Sequence, residues 1–203
     1  MTDIKITNID PSKLLWLLDP GHGCDTPGKR SPEIPPGIYE WEFNRDVVNR
    51  IISLGEAAGI QCVDIVVQKE SIPLRERVRR ANKLNETHRC AFISVHANAS
   101  GKGGWSNAEG FAVFIKPGAS IPEQNLALIL SEELPQIVLR NRGIKVAGFY
   151  VLKRTKMPAV LTENGFMTSK SDCELLSRPA GRQAIAASHV AAMLRYEMDT
   201  VTP

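Results

Sequence analysis

Four ionisable residues stand where an enzyme built on a sheet would place its chemistry. His22 sits in Asp19-Pro20-Gly21-His22-Gly23 after an apolar run, His96 in Ser94-Val95-His96-Ala97-Asn98 after a second, and Glu163 in Glu163-Asn164-Gly165 after a third. Ligands of open α/β sheets bind beyond the carboxyl ends of the strands, so three distant segments deliver these side chains to one rim. Glu40 opens the helix after the first strand and lies on the same side, because a crossover helix begins where its strand ends. Two imidazoles and a carboxylate with a fourth position open make a catalytic zinc site, and a free carboxylate beside it serves as general base. The local HExxH pattern is absent, so the ligands have to come from separate segments. Plainer readings stand beside this one: Glu40 favours the positive end of its own helix, and Glu163-Asn164-Gly165 is also a turn sequence. Of the other histidines, His189 falls on the apolar face of the last helix and reads as core, while His88 sits in a polar turn and reads as solvated.

The elements that must position these residues follow from hydrophobic periodicity. Short continuous apolar runs predict buried strands at 14–18, 62–67, 90–95 and 111–115, with shorter ones at 149–152 and 159–162. Helical stripes predict helices over 40–58, 74–85, 122–134, 172–176 and 179–197. Residues 22–38 hold Pro27, Pro32, Pro35 and Pro36 and form a long loop, which inside a compact domain is usually functional. Alternating strands and helices predict one layered α/β domain, a mostly parallel central sheet of about six strands with helices on both faces. The domain spans 14–198, with a short extension at 1–13 and a tail at 199–203.

Composition narrows the class. In 203 residues, hydrophobic types make up 43% and charged types 23%, which excludes a disordered, collagen-like or coiled-coil chain. A net charge of +3 gives no ground for a nucleic-acid partner. Cys24, Cys62, Cys90 and Cys173 show no CxxC spacing, which excludes a Cys-rich zinc module and leaves a single disulfide open. No signal-peptide core is visible at the start, and no apolar run approaches the ~20 residues that span a bilayer, so no membrane partner is expected.

Four motifs in order carry a family resemblance: Leu18-Asp19-Pro20-Gly21-His22-Gly23, Gly37-Ile38-Tyr39-Glu40 with Asn44 four residues on, Ser94-Val95-His96-Ala97-Asn98, and the run from Met157 to Phe166. Leu74 to Asn82 and Arg142 to Leu152 fit as well, so that residues 14–197 are covered. The chain resembles the zinc-dependent N-acetylmuramoyl-L-alanine amidases, which include sporulation and cell-division amidases and phage endolysins. The resemblance implies one Zn²⁺ per chain held by His22, Glu40 and His96, with Glu163 as the catalytic carboxylate. It implies hydrolysis of the MurNAc–L-Ala amide of peptidoglycan by a monomer made in the cytoplasm that acts on the wall after release or export. Asn98, Trp105 in the Gly-rich loop 100–107, and Arg77 are the candidate substrate contacts, though Arg77 reads more readily as a buried-edge ion pair and the loop equally as a connector. Glu42 is a decoy for Glu40. Trp41 replaces a Lys common in the family, and Cys24 replaces a small residue where a soft thiol could compete for metal. Rival readings are a zinc peptidase on other peptides, a wall-binding module without activity, and a thiol enzyme pairing Cys24 with His96.

Overall fold

The computed structural model of the chain describes residues 9–201 except Pro36, Lys102 and residues 135–139. Most of the expected N-terminal extension and the end of the expected tail therefore lie outside the described residues. The chain runs β1 (Leu15–Pro20), α1 (Glu40–Ala57), β2 (Gln61–Asp64), α2 (Leu74–Leu84), β3 (Cys90–Asn98), β4 (Phe111–Ile115), α3 (Ile121–Glu133), β5 (Asn141–Val146), α4 (Tyr150–Arg154), β6 (Ala159–Phe166), α5 (Lys170–Ser177) and α6 (Pro179–Val201). The six strands form one sheet in the order β2-β1-β3-β6-β4-β5. The pairs β1/β2, β1/β3, β3/β6 and β4/β5 are parallel, and only β4/β6 is antiparallel.

Alternation along the central strands divides the core into two layers. Trp16, Leu18, Ala91 and Ile93 point into the larger layer, which α1, α3 and α6 close with Phe43, Val47, Leu126, Leu130, Ile185 and Met193. Leu15, Leu17 and Phe92 point into the smaller one, closed by Val78 and Ala81 of α2 and Val151 and Leu152 of α4. A strand that must bury both of its faces has to be apolar throughout, which is why β1 and β3 stood out as unbroken runs.

Two elements differ from the sequence expectation. The strand expected at 149–152 is instead the start of α4, whose adjacent Val151 and Leu152 both face the smaller layer. The missing strand is β5, at the sheet edge beside β4. Its residues are almost all exposed, so it carries no apolar run to betray it.

Behind the site strands lies a polar chain through the core. Asn164 donates from Nδ2 to Thr162 Oγ1 (3.1 Å) and to the backbone oxygen of His96 (3.0 Å). Thr162 Oγ1 lies 3.2 Å from His189 Nε2, and His189 Nδ1 lies 2.8 Å from Ile185 O. A carbonyl only accepts, so Nδ1 carries the proton and Thr162 donates to Nε2. Burial, only partly opposed by the bond to Ile185, pushes the His189 imidazole from 6.5 down to about 4. The neutral ring therefore adds stability that is fully present above the ordinary histidine range and is lost as pH falls through the folded value; the full gap amounts to about 3 kcal/mol. Thermal melts between pH 7 and 4 should fall more steeply for the wild type than for His189→Gln. Parallel curves would contradict this.

Candidate metal centre

The site is assembled by register. Asp19 pairs with Ser94 and Pro20 with Val95 across β1/β3, and His96 pairs with Glu163 across β3/β6. Beyond the last β1 residue, Gly21 N–H still donates to Val95 O at 3.0 Å, carrying the chain straight over the end of β3. A Cβ on Gly21 would lie 2.1 Å from Cε1 of His96, so only glycine lets the two segments approach this closely.

His22 then takes a left-handed backbone conformation, φ 64°, unusual for a residue with a side chain. Two neighbours hold it there. Asn44 donates from Nδ2 to Gly21 O at 3.0 Å, and Arg77 donates from Nη2 to His22 O at 3.0 Å. Strained positions of this kind persist only where the surroundings over-determine them.

Glu40 arrives from α1. It lies on the buried stripe of that helix with Phe43, Asn44, Val47, Val48 and Ile51, and is 2% exposed. Its first-turn position also places it at the positive end of the helix dipole. Its Oε1 stands 3.2 Å from His22 Nε2 and 3.0 Å from His96 Nδ1. Burial alone would raise this carboxyl, but hydrogen bonds to His22 and His96 outweigh it and hold it at about 2. Burial by itself lowers His96, yet the bond to Glu40 raises it overall. The two imidazole rings stand edge to face with centroids 5.0 Å apart.

One donor atom from each of His22, Glu40 and His96 lies within 4.8 Å of the other two. Two imidazole nitrogens and a carboxylate oxygen converging on one point are a donor set that suits zinc and leaves a fourth position for a substrate or water. Glu42, the decoy two residues on, points elsewhere: its Oε1 receives Arg182 Nη1 at 3.3 Å. Cys24 is exposed, and both ring nitrogens of His96 are engaged by Glu40 and Ser94, so the pairing of Cys24 with His96 is not formed. All four cysteines are free thiols.

Glu163 joins these three in one cavity of about 470 Å³. Its Oε2 is buried and has no hydrogen-bond partner. Burial, reinforced by the Glu40 charge and only partly offset by His96 and Lys29, pushes its carboxyl up to about 7. A carboxylate poised near neutrality and aimed into a cleft suits proton transfer at physiological pH.

The candidate substrate contacts separate. Asn98 lines this cavity. Arg77, 2% exposed, touches its floor but spends its guanidinium on Asp19 Oδ1 (2.5 Å), Pro20 O (2.7 Å) and His22 O. Trp105 lies instead in a second cavity with Lys170, Cys173 and Glu174, its loop tied to Thr168 through Ser106 N–H. Apolar residues not expected at the site form the wall: Ile72 and Pro73 before α2, Leu74 at its start, and Phe149 and Tyr150 at α4. Leu74, Phe149 and Tyr150 are exposed despite their size, a signal that emerges only once the fold is known.

The close approach at Gly21 gives a direct check. Gly21→Ala should displace the His96 ring and weaken divalent-metal binding at least tenfold in chelator competition. Undiminished affinity would show that the crowding is absorbed elsewhere.

Comparison with known proteins shows the family and the fold. The N-acetylmuramoyl-L-alanine amidase family pattern matches residues 17–195. An N-acetylmuramoyl-L-alanine amidase of Bacillus licheniformis is 32% identical over 182 residues, 88% of this chain and 67% of that protein. The endolysin of Bacillus phage SPP1 is also 32% identical, over 88% of this chain and 64% of its own length. A sporulation-specific N-acetylmuramoyl-L-alanine amidase of Bacillus subtilis is 30% identical over 85% of this chain and 64% of its own. This chain thus spans about two thirds of the length of these relatives. Among solved structures, the N-acetylmuramoyl-L-alanine amidase of Clostridium difficile 630 superposes with a TM-score of 0.83 at 26% identity, covering 93% of this chain and 98% of that one. With family pattern, relatives, fold and converging donor set in accord, the chain belongs to the N-acetylmuramoyl-L-alanine amidase family.

Proposed function

We propose that this protein is a zinc-dependent amidase that cleaves the bond between MurNAc and the L-Ala of the peptidoglycan stem peptide. The observation that carries the reading is the convergence of His22, Glu40 and His96 with a separate, unpartnered carboxylate, Glu163, in the same cavity. Zinc held by the first three would supply Lewis acidity toward the amide carbonyl and toward water.

The chain's own residues then have distinct tasks. Glu163 takes a proton from the attacking water and returns it to the departing L-Ala nitrogen, so that the amine leaves neutral and the carboxyl stays on the lactyl group. A carboxylate held at about 7 can accept the proton and give it back without a large penalty in either direction. Glu40 takes no part in the transfer, because its carboxylate is one of the three donors that would hold the ion. The wall of Ile72, Leu74, Phe149 and Tyr150 supplies apolar surface on which the sugar or peptide can lie, and Asn98 offers an amide beside it. None of the described helices is long and apolar enough to cross a membrane.

Two measurements test the reading. Mass analysis of digested cell wall should reveal free stem peptides that begin at L-Ala, and their release should stop on chelation; cleavage of peptides lacking the sugar at equal rate would favour a general peptidase. In Glu163→Ala, kcat should fall by roughly 10²–10⁴-fold while zinc remains bound. Zinc lost together with activity would make Glu163 a ligand.

A further inference from the structure

We propose that Ser94 and Asp19 are positioning residues that fix which nitrogen of His96 faces the metal, with Arg77 holding Asp19 in place. The inference rests on the zinc reading above and extends it to the buried residues behind the donor cluster.

The hydrogen-bond geometry places a proton on Nε2 of His96. His96 Nε2 lies 3.2 Å from Ser94 Oγ, and Ser94 Oγ donates to Asp19 Oδ2 at 2.7 Å. The other Asp19 oxygen, Oδ1, takes Arg77 Nη1 at 2.5 Å. A carboxylate paired with a guanidinium only accepts, and a serine hydroxyl has a single proton to give. That proton goes to Asp19. Toward His96, Ser94 can therefore act only as an acceptor, which requires Nε2 to carry a proton. With Nε2 held as a donor to Ser94, Nδ1, the atom 3.0 Å from Glu40 Oε1, is the nitrogen that can give up its proton and turn a lone pair toward the donor cluster.

The arrangement guards against a specific trap. With its only proton on Nδ1, His96 would stay locked to Glu40, and the two ligands would satisfy each other and close the position meant for the ion. Ser94 makes that tautomer costly by presenting a lone pair to an unprotonated Nε2. All three supporting side chains are deeply buried, Ser94 at 0%, Asp19 at 1% and Arg77 at 2% exposure, so no water can take over their bonds cheaply. Arg77 also donates to Pro20 O and His22 O, so the same guanidinium fixes the backbone that carries His22. A carboxylate commonly orients a metal-binding histidine directly; here a serine stands between them.

The test uses the whole chain. Ser94→Ala should lose about 10–100-fold in zinc affinity by chelator competition. ¹⁵N spectra of the histidine-labelled metal-free variant should show His96 shifted toward the Nδ1-protonated form. Ser94→Thr, which keeps the hydroxyl, should restore both readouts. Asp19→Asn, nearly isosteric, frees the Ser94 proton and should shift both in the same direction, which keeps the test alive if Ser94→Ala folds poorly. Wild-type affinity and an Nε2-protonated His96 in folded Ser94→Ala would overturn the proposal, as would metal found on Nε2 of the wild type. Failure of the wild type to bind zinc at all would instead strike the functional reading on which the proposal rests.

Discussion

The parallel register of β1, β3 and β6 is the constraint from which the rest follows. Pairing His96 with Glu163 sets these two side by side in one row, with Asp19 and Ser94 paired in the row behind it. The period of a strand is two residues, so a slip of one would turn His96 toward the opposite face and leave its partners behind. The apolar alternation of β1 and β3 between two packed layers forbids that slip, because it would exchange Trp16 and Leu18 with Leu15 and Leu17 across the sheet. Core packing and site geometry are thus one specification.

Around that row the protein buries more charge than an ordinary sheet edge tolerates, and it does so in pairs. Arg77 and Asp19 neutralise each other, and Glu40 is held ionised by two imidazoles. Removing one member of such a pair leaves the other stranded, typically a loss of about 3–5 kcal/mol. Glu163 departs from the pattern. One of its oxygens is buried without a partner, and its raised pKa is the consequence. Buried polar groups left unsatisfied are rare enough in folded proteins that one facing a cavity between metal-binding side chains points to function.

Much of this was legible in the sequence, for physical reasons. Strands buried on both faces announce themselves as unbroken apolar runs, and polar residues just after such runs fall at the ligand-binding rim, which is how His22, His96 and Glu163 came into view. Glu40 was harder, because a glutamate in a first turn has a bland explanation; its membership of the buried stripe with Phe43 and Val47 is visible only once the packed face is known. The edge strand β5 escapes because exposed strands need not be apolar, and α4 reads as a strand because the short continuous apolar run 149–152 suits a buried strand and a buried helix alike. Trp105 drew attention by its type and glycine neighbours, whereas its actual place is fixed by Ser106 and Thr168, a contact no local pattern encodes. Ser94 and Asp19 lay inside recognised motifs, but their role depends on a hydrogen-bond chain across strands.

The most direct trial of the account is anomalous diffraction at the zinc edge from crystals of the metal-loaded protein. The account predicts one strong peak per chain, about 2.0–2.2 Å from His22, Glu40 and His96 donor atoms, with Glu163 beside it but outside bonding range. A peak bonded to Glu163 in place of Glu40, or His22 and His96 turned to separate regions with no shared ion, would contradict it.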